Sequence, residues 1–202
     1  MDLRPPARCS VDLARGVMHG ATGRYEKRLA DLKGIYEDEA SFDRLVEATR
    51  NQLVYEVTEF RPSTDAGDLI FGLTRMVPGR VGREFFLTRG HIHAKADRPE
   101  VYYGQQGHGL MLMESPAGET KVVEIGPQTI CYVPPHWIHR SVNVGTEELL
   151  LMFGYPADAG QDYDIITRAG GMRHRVVAGN GGGWTLAENP CYRPRPATEP
   201  AR

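Results

Sequence analysis

The stretch TRGHIHAKADRPEVYYGQQGHGLMLME, residues 88–114, decides the fold that we expect for this chain. His91 and His93 are two residues apart, so in an extended strand their side chains point the same way. Glu100 follows a short loop and opens another β-rich run, so a hairpin can carry its carboxylate back to both histidines. His139, after a later β-rich run, is the fourth candidate ligand. Three imidazole nitrogens and one carboxylate oxygen suit iron, manganese, nickel, cobalt or zinc better than calcium.

The segments on either side of this stretch alternate like strands. Gly- and Pro-containing turns separate many short runs, at spacings of about ten residues, which is typical of a β-sandwich or barrel. The runs are LVYEVTEF (53–60), DLIFGLTRM (68–76), EFFLTRG (84–90), GLMLME (109–114), KVVEI (121–125), TICYV (129–133), RSVNV (140–144) and ELLLMFGY (148–155).

The two ends of the chain show other patterns, and we divide it at 1–50, 51–188 and 189–202. Residues 1–22 read as an extended arm, followed by a short helix over Tyr25–Leu32 and a second helix that begins after Ser41. Beyond Tyr163 we expect a helical turn and two edge strands, RHRVVA and GWTLAE. The Pro-rich segment 189–202 is expected to be disordered.

The composition of the chain argues against some classes of binding partner. The net charge is −2, and charges of both signs are interspersed without a basic run, which argues against nucleic acid or a membrane surface as a partner. No segment resembles a signal peptide or a membrane span, and the three cysteines are an odd number without zinc-site spacing. We therefore expect a cytoplasmic protein with reduced thiols, in which Cys131 is a small buried apolar residue.

The order of the potential metal ligands along the chain resembles that of a known superfamily. HIH, Glu100 and Gly107, followed by Gly126, Pro134, His139 and Asn143, resemble the two split motifs of the cupin superfamily, small β-barrels that bind a metal at the barrel mouth. The gap between His93 and Glu100 is longer than usual for cupins, and His136 stands where the second motif usually has glycine. With this longer gap, the blocks GHIHAKADRPEVYYG, YVPPHWIHRSVNVG and YPADAGQDY are similar to the cupin-type phosphoglucose isomerases of archaea and some bacteria.

This resemblance implies an all-β, jelly-roll barrel with short N-terminal helices and a flexible C-terminal tail. It implies a homodimer that interconverts glucose 6-phosphate and fructose 6-phosphate, with one divalent metal per subunit, Fe²⁺ ahead of Mn²⁺, Ni²⁺, Co²⁺ or Zn²⁺. The expected metal ligands are His91, His93, Glu100 and His139. The expected contacts to the phosphosugar are Thr74, Thr88, Gly90, Tyr155 and Tyr163.

Glu100 is also the candidate base for proton transfer between carbons 1 and 2 through a cis-enediolate, whose charge the metal would stabilise. Tyr102 shares its face of the strand and is the second catalytic candidate. Gln161 stands where the isomerase family commonly has histidine, and glutamine cannot relay a proton. A direct hydride shift is a rival mechanism.

Several alternatives stay open at this point. The chain can instead be another cupin metalloenzyme, such as an iron oxygenase or an isomerase or epimerase of a different phosphosugar, or a non-catalytic sugar-binding cupin. His19, His108 and His174 are read as ordinary residues, with His136 a weaker candidate for a position behind the metal ligands. Lys95 and Arg98 are read as a solvated loop near enough to the site to attract an anion.

Overall fold

The computed structural model describes residues 3–196 and is built mainly from antiparallel strands. The strands are β1 (Ser10–Asp12), β2 (Val17–His19), β3 (Gly23–Arg28), β4 (Leu53–Phe60), β5 (Leu69–Met76), β6 (Arg80–Val81), β7 (Glu84–Phe85), β8 (Glu100–Gln106), β9 (Gly109–Glu114), β10 (Thr120–Ile125), β11 (Ile130–Val133), β12 (Ile138–Asn143), β13 (Leu149–Pro156), β14 (His174–Ala178) and β15 (Trp184–Glu188). The helices are a 3₁₀ turn (Leu29–Leu32), α1 (Glu39–Ala48) and α2 (Asp164–Arg168). None of the helices in the described part is long and apolar enough to cross a membrane.

The strand order gives the jelly-roll arrangement that the sequence predicts. A six-stranded sheet has the order β11-β8-β13-β5-β4-β3, and a three-stranded sheet has the order β10-β9-β12. The neighbours β8 and β13, β13 and β5, and β9 and β12 are distant in the chain, which is the signature of Greek-key connections. The predicted all-β jelly-roll barrel is therefore confirmed.

The core lies between these sheets because alternate residues of each strand point inward. Inward residues such as Ile70, Met76, Leu110, Ile138 and Leu149 are at most 1% exposed. Each such side chain contributes about 1.5–3 kcal/mol by burial. The rigid layers formed in this way fix the positions of the polar side chains at the barrel mouth.

The N-terminal region differs from the sequence-based prediction. Residues 25–28, which we placed in a helix over Tyr25–Leu32, belong to β3 and pair with β4, so only Leu29–Leu32 keep a helical turn. Pairing with the open edge of β4 is a long-range interaction, and it overrides the local helical pattern. β3 thus belongs to the barrel sheet although it lies before residue 51, and the expected extended arm contains the hairpin β1–β2.

Helix α1 begins earlier than predicted. It starts at Glu39, and the carboxylate of Asp38 accepts a hydrogen bond from the backbone N–H of Ser41 at 2.8 Å. Asp38 is therefore the capping residue, whereas Ser41 lies in the first turn of the helix.

The C-terminal segment is predicted to be disordered from residue 189, but its first part is packed. Asn189 and Arg195 are buried, and the Arg195 guanidinium pairs with the fully buried carboxylate of Glu114 at the end of β9. The two predicted edge strands form as β14 and β15 and pair with each other, but only β15 lies at an edge, because β14 also pairs with β7 in a four-stranded sheet of order β15-β14-β7-β6. Residues 197–202 lie outside the described residues.

Candidate metal centre

Backbone pairing brings the first histidine segment beside the second. His91 donates from its N–H to the carbonyl of His139 at 3.1 Å, and His139 returns a bond to the carbonyl of His91 at 2.9 Å. The predicted strand 84–90 is regular only over Glu84–Phe85 and continues as isolated bridges to β12. This reciprocal pair of hydrogen bonds fixes two ligand candidates that are far apart in sequence.

The third and fourth candidates close the group. Glu100 is the first residue of β8, and its Oε2 lies 2.9 Å from His139 Nε2, 3.2 Å from His93 Nε2 and 3.8 Å from His91 Nε2. One ligand atom from each of these four residues lies within 4.8 Å of the others, and all four residues are buried. The structure therefore brings together all the residues that the sequence suggests as metal ligands.

The orientation of two imidazoles is fixed by backbone carbonyls. His93 Nδ1 lies 2.7 Å from the carbonyl oxygen of Arg98, and His139 Nδ1 lies 3.1 Å from that of Trp137. A carbonyl can only accept a hydrogen bond, so Nδ1 carries the proton in both rings. In the neutral imidazole the Nε2 atom then presents a lone pair to the centre of the cluster.

This arrangement fits a cation. Lone pairs of imidazole nitrogens face a carboxylate oxygen, and the buried Nε2 atoms of His91 and His93 have no hydrogen-bond partner among residues 3–196. Such acceptors repel one another unless a proton or a metal ion lies between them. The donor set consists of three nitrogens and one oxygen, and it leaves further coordination positions free. Such a set suits a catalytic divalent transition metal.

Burial and mutual contact shift the acid–base properties of these groups in the metal-free protein. Burial, and then the neighbouring His139, lower the pKa of His91. Burial alone would raise the pKa of Glu100, but close contact with the imidazoles of His139 and His93, which can share a proton with the carboxylate, lowers it overall. The carboxylate is therefore ionised at neutral pH, as a metal ligand or a base must be.

An ion-pair cluster supports the loop that orients His93. The Arg98 guanidinium pairs with Asp158, with Nε at 3.0 Å from Oδ1 and Nη2 at 2.8 Å from Oδ2, and Lys95 joins Asp158 at 2.8 Å. The Asp158 side chain is only 6% exposed. The loop that lengthens the spacing from His93 to Glu100 thus supplies the carbonyl that holds His93, and Asp158 anchors that loop. Lys95 and Arg98 are therefore structural partners of Asp158 as well as solvated loop residues.

A cavity of about 240 Å³ opens beside the ligand cluster. Its wall includes every residue expected to contact the phosphosugar, together with Glu100, Tyr102 and Gln161. The ring of Tyr155 is tilted against His93 and that of Tyr163 against His91, with ring centroids 5.4 Å and 5.7 Å apart. The Tyr163 hydroxyl donates a hydrogen bond to Gln161 Oε1.

The cavity wall also contains residues that the sequence reasoning missed. Tyr25, Tyr55, Glu59, Arg61, Arg89 and Ser141 line it as well. The guanidinium of Arg89 lies 5.2 Å from the ring centre of Tyr163, and Arg61 pairs with Glu59 at 3.1 Å. Alternation along β4 places Tyr55, Val57 and Glu59 on one face, so a charged Glu59 on an otherwise apolar face was a signal in the sequence.

The other histidines and the cysteines stand apart from the cluster. His19, His108 and His136 are exposed, and His174 lies near Thr120, with Nδ1 at 2.8 Å from the hydroxyl. Cys131 is buried and free, as expected, and does not belong to the ligand group. His136 has φ +69°, so the site usually held by glycine does adopt the left-handed conformation in this chain.

Comparison with known proteins adds a family context. The family model described as "Glucose-6-phosphate isomerase (GPI)" matches residues 26–193. A relative from Rhizobium meliloti (strain 1021), named putative glucose-6-phosphate isomerase 1, is 59% identical over 192 residues, covering 95% of this chain and 90% of the relative. The glucose-6-phosphate isomerase of Thermococcus kodakarensis is 42% identical over 193 residues, covering 96% and 100%. A solved oxalate oxidase in complex with a substrate analogue aligns at a TM-score of 0.45 and 16% identity over 54% of each chain.

The Asp158 anchor generates a testable prediction about metal binding. In Asp158→Asn the ion pairs to Arg98 and Lys95 lose their negative charge, so the carbonyl that orients His93 becomes less well fixed. We expect metal affinity to fall about tenfold, the lower end of the effect of removing a partner behind a ligand. Competition with a chromophoric chelator measures this directly.

Asp97→Asn is the matched control. Asp97 pairs with the same Arg98 at 2.8 Å, but its side chain is 65% exposed. Its removal should change metal affinity less than twofold, because exposed pairs contribute little. Equal affinities for the two variants would show that Asp158 does not support the ligand cluster.

Proposed function

This chain belongs to the glucose-6-phosphate isomerase family, and from that premise we propose that it is a metal-dependent enzyme that interconverts glucose 6-phosphate and fructose 6-phosphate. The observation that carries the proposal is the convergence of three imidazoles and one carboxylate at a cavity lined by hydroxyl groups. No feature of the cavity favours the oxygenase, the epimerase or the sugar-binding alternative over this activity.

His91, His93, Glu100 and His139 would hold the metal. When bound, a divalent ion would polarise the oxygens at carbons 1 and 2 of the open-chain sugar and stabilise negative charge that develops there. We propose Fe²⁺ as the ion, with Mn²⁺, Ni²⁺, Co²⁺ and Zn²⁺ as ions that the same donors accept.

Glu100 is proposed to carry the proton between the two carbons. All its contacts with the histidines use Oε2, which leaves Oε1 as the atom able to face the substrate. The carboxylate would remove the proton at carbon 2, giving a cis-enediolate, and return it to carbon 1. Burial of the residue excludes water and favours return of the same proton.

Tyr102 is proposed to assist as a neutral hydrogen-bond donor. Burial, and then the negative charge of Glu100, raise the pKa of Tyr102 well above its usual value. Its hydroxyl therefore stays protonated at neutral pH and can donate to a sugar oxygen.

The phosphate end of the substrate is proposed to lie against Thr74, Thr88, Gly90, Tyr155 and Tyr163. These residues offer hydroxyl groups and a backbone N–H, and Arg89 adds a positive charge beside Tyr163. Gln161 holds the Tyr163 hydroxyl, which gives it a positioning role that requires no charge.

A homodimer is proposed from the outer face of the six-stranded sheet. Ile130 and Tyr132 of β11 pair with Tyr103 and Val101 of β8, and these four side chains are 69%, 57%, 36% and 42% exposed. A contiguous apolar patch of this kind marks an interaction surface, and two-fold self-association is the commonest way to cover it. We also propose a cytoplasmic location, because the three cysteines are free thiols.

The activity test follows from the ligand cluster. Metal-stripped protein should fail to convert fructose 6-phosphate to glucose 6-phosphate in an assay coupled to a dehydrogenase, and adding back Fe²⁺ should restore the rate. Other divalent ions should restore it to different extents, and activity without oxygen should be unchanged. Inactivity with all five ions would reject the proposed reaction.

Replacing Glu100 tests the base. Glu100→Gln keeps a ligand oxygen but cannot accept a proton, so kcat should fall by about a hundredfold to ten-thousandfold, the usual contribution of general-base catalysis. Gln161→His should change kcat by less than about tenfold, because a neutral imidazole can also accept from Tyr163. Metal content is measured in both variants. Near-normal kcat in metal-replete Glu100→Gln would favour the hydride shift.

The dimer prediction concerns the apolar patch. Tyr132→Glu introduces charge into the patch, so light scattering after size exclusion should show a dimer for the native protein and a monomer for this variant. Glu124→Lys, an exposed change on β10 of the other sheet, should remain a dimer. A native monomer, or a dimeric Tyr132→Glu variant, would exclude association through this face.

A further inference from the structure

Arg140 follows His139 directly and is a buried cation without a counter-ion. The residue is only 7% exposed, and its guanidinium makes one described hydrogen bond, from Nη2 to the carbonyl oxygen of Arg89 at 2.7 Å. Its Nε is buried and has no partner among residues 3–196. A buried, unpaired charge is costly, so its presence needs a compensating interaction.

The two carboxylates whose charges act on Arg140, Glu84 and Glu114, are each paired with another arginine. Glu84 pairs with Arg175 at 2.9 Å and accepts from the Glu37 N–H at 2.6 Å. Glu114 pairs with Arg195 and accepts from the Arg173 N–H. No described carboxylate is within ion-pair distance of Arg140.

The single hydrogen bond of Arg140 sets the direction of one peptide group. The Arg89 carbonyl and the Gly90 N–H belong to the same peptide unit, which is trans, so they point in opposite directions. Because Arg140 holds the carbonyl on one side, the Gly90 N–H points away from Arg140. Gly90 lines the catalytic cavity, and its N–H has no acceptor within the described chain.

The backbone at this position leaves no room for another residue. Gly90 has φ +74°, and a Cβ added to it would lie 2.9 Å from both the Arg140 Cβ and the His139 carbonyl oxygen. The close approach that brings the Gly90 peptide onto Arg140 therefore requires glycine. The Gly90 peptide therefore lies between the Arg140 side chain and the cavity.

We propose that Arg140 is a positioning residue for the substrate's phosphate group: it turns and polarises the Gly90 peptide so that its N–H binds phosphate, and the bound phosphate supplies the missing negative charge. This inference rests on the proposed function, because it assigns the phosphate end of the same substrate. Arg140 acts through the peptide and from behind the cavity wall. It would therefore favour phosphorylated sugars over their unphosphorylated counterparts.

The test compares two ligands that differ in the phosphate, 6-phosphogluconate and gluconate, by calorimetry on Zn²⁺-loaded protein. Arg140→Gln keeps a donor for the Arg89 carbonyl but removes the charge, and we expect it to bind 6-phosphogluconate about tenfold to a hundredfold more weakly. Gluconate affinity, metal content and melting temperature should stay close to those of the native protein. Arg140→Lys, which keeps the charge, should retain most of the preference for the phosphorylated ligand.

Arg175→Lys is the matched control, because it changes a neighbouring, largely buried arginine and still leaves Glu84 with a cationic partner. Its preference for 6-phosphogluconate should be unchanged. An unchanged preference in Arg140→Gln, or an equal loss for both ligands, would overturn the inference. These binding measurements do not require turnover, so an inactive protein that shows the preference would reject the isomerase but keep the role of Arg140.

Nuclear magnetic resonance of the native protein gives a second measurement that needs no variant. In Zn²⁺-loaded protein, 6-phosphogluconate should move the Gly90 amide proton downfield, as expected when a charged acceptor binds, and gluconate should not. Equal shifts with the two ligands, or no shift with either, would contradict the proposed contact.

Discussion

The structure depends on four acceptor groups that face one another in a buried space. Nitrogens of His91, His93 and His139 and an oxygen of Glu100 converge within 4.8 Å, although these groups repel unless a cation separates them. The jelly roll makes this convergence possible because its core is closed on the other side by packed apolar layers. The reciprocal hydrogen bonds between His91 and His139 join the two segments without help from the metal. Folding therefore presents a formed ligand set, which lowers the entropy cost of metal binding.

The electrostatic potential in the cavity is set by the side chains that line it, because the chain as a whole carries a net charge of only −2. Glu100 and Glu59 both contribute carboxylate charge to the wall, Arg61 pairs with Glu59, and Arg89 adds a second cation beside Tyr163. In the proposed reaction an anionic substrate would be attracted to the part of the cavity beside Arg89, with its carbonyl end towards the ligand cluster. This polarity gives the site an orientation that overall composition does not reveal.

The sequence predicts the fold and the ligand set because both depend on local patterns. Strand alternation is a property of neighbouring residues and predicted a β-sandwich or barrel, whereas the jelly roll followed from the resemblance to cupin motifs. The spacing of His91 and His93, together with Glu100 and His139, suggested the cluster. β3 was misread as a helix because its pairing with β4 is a long-range interaction that its own residues do not encode strongly. Asp158 was missed for the same reason, since its partner Arg98 is 60 positions away. Arg140 stands next to a ligand, but only coordinates reveal that it has no carboxylate.

Arg140 also bears on how stability and function are balanced at this site. A buried arginine with one hydrogen bond destabilises the folded protein relative to an apolar residue of similar size, because one hydrogen bond offsets only part of the cost of burying the charge. The buried Arg195 and the largely buried Arg175 each have a glutamate partner, so the fold can provide counter-ions where stability alone matters. The exception, Arg140, lies behind the Gly90 peptide, which lines the cavity. This free-energy cost at Arg140 is expected if the compensating negative charge belongs to a ligand that binds and dissociates. A permanent carboxylate beside Arg140 would cancel the field that attracts the phosphate.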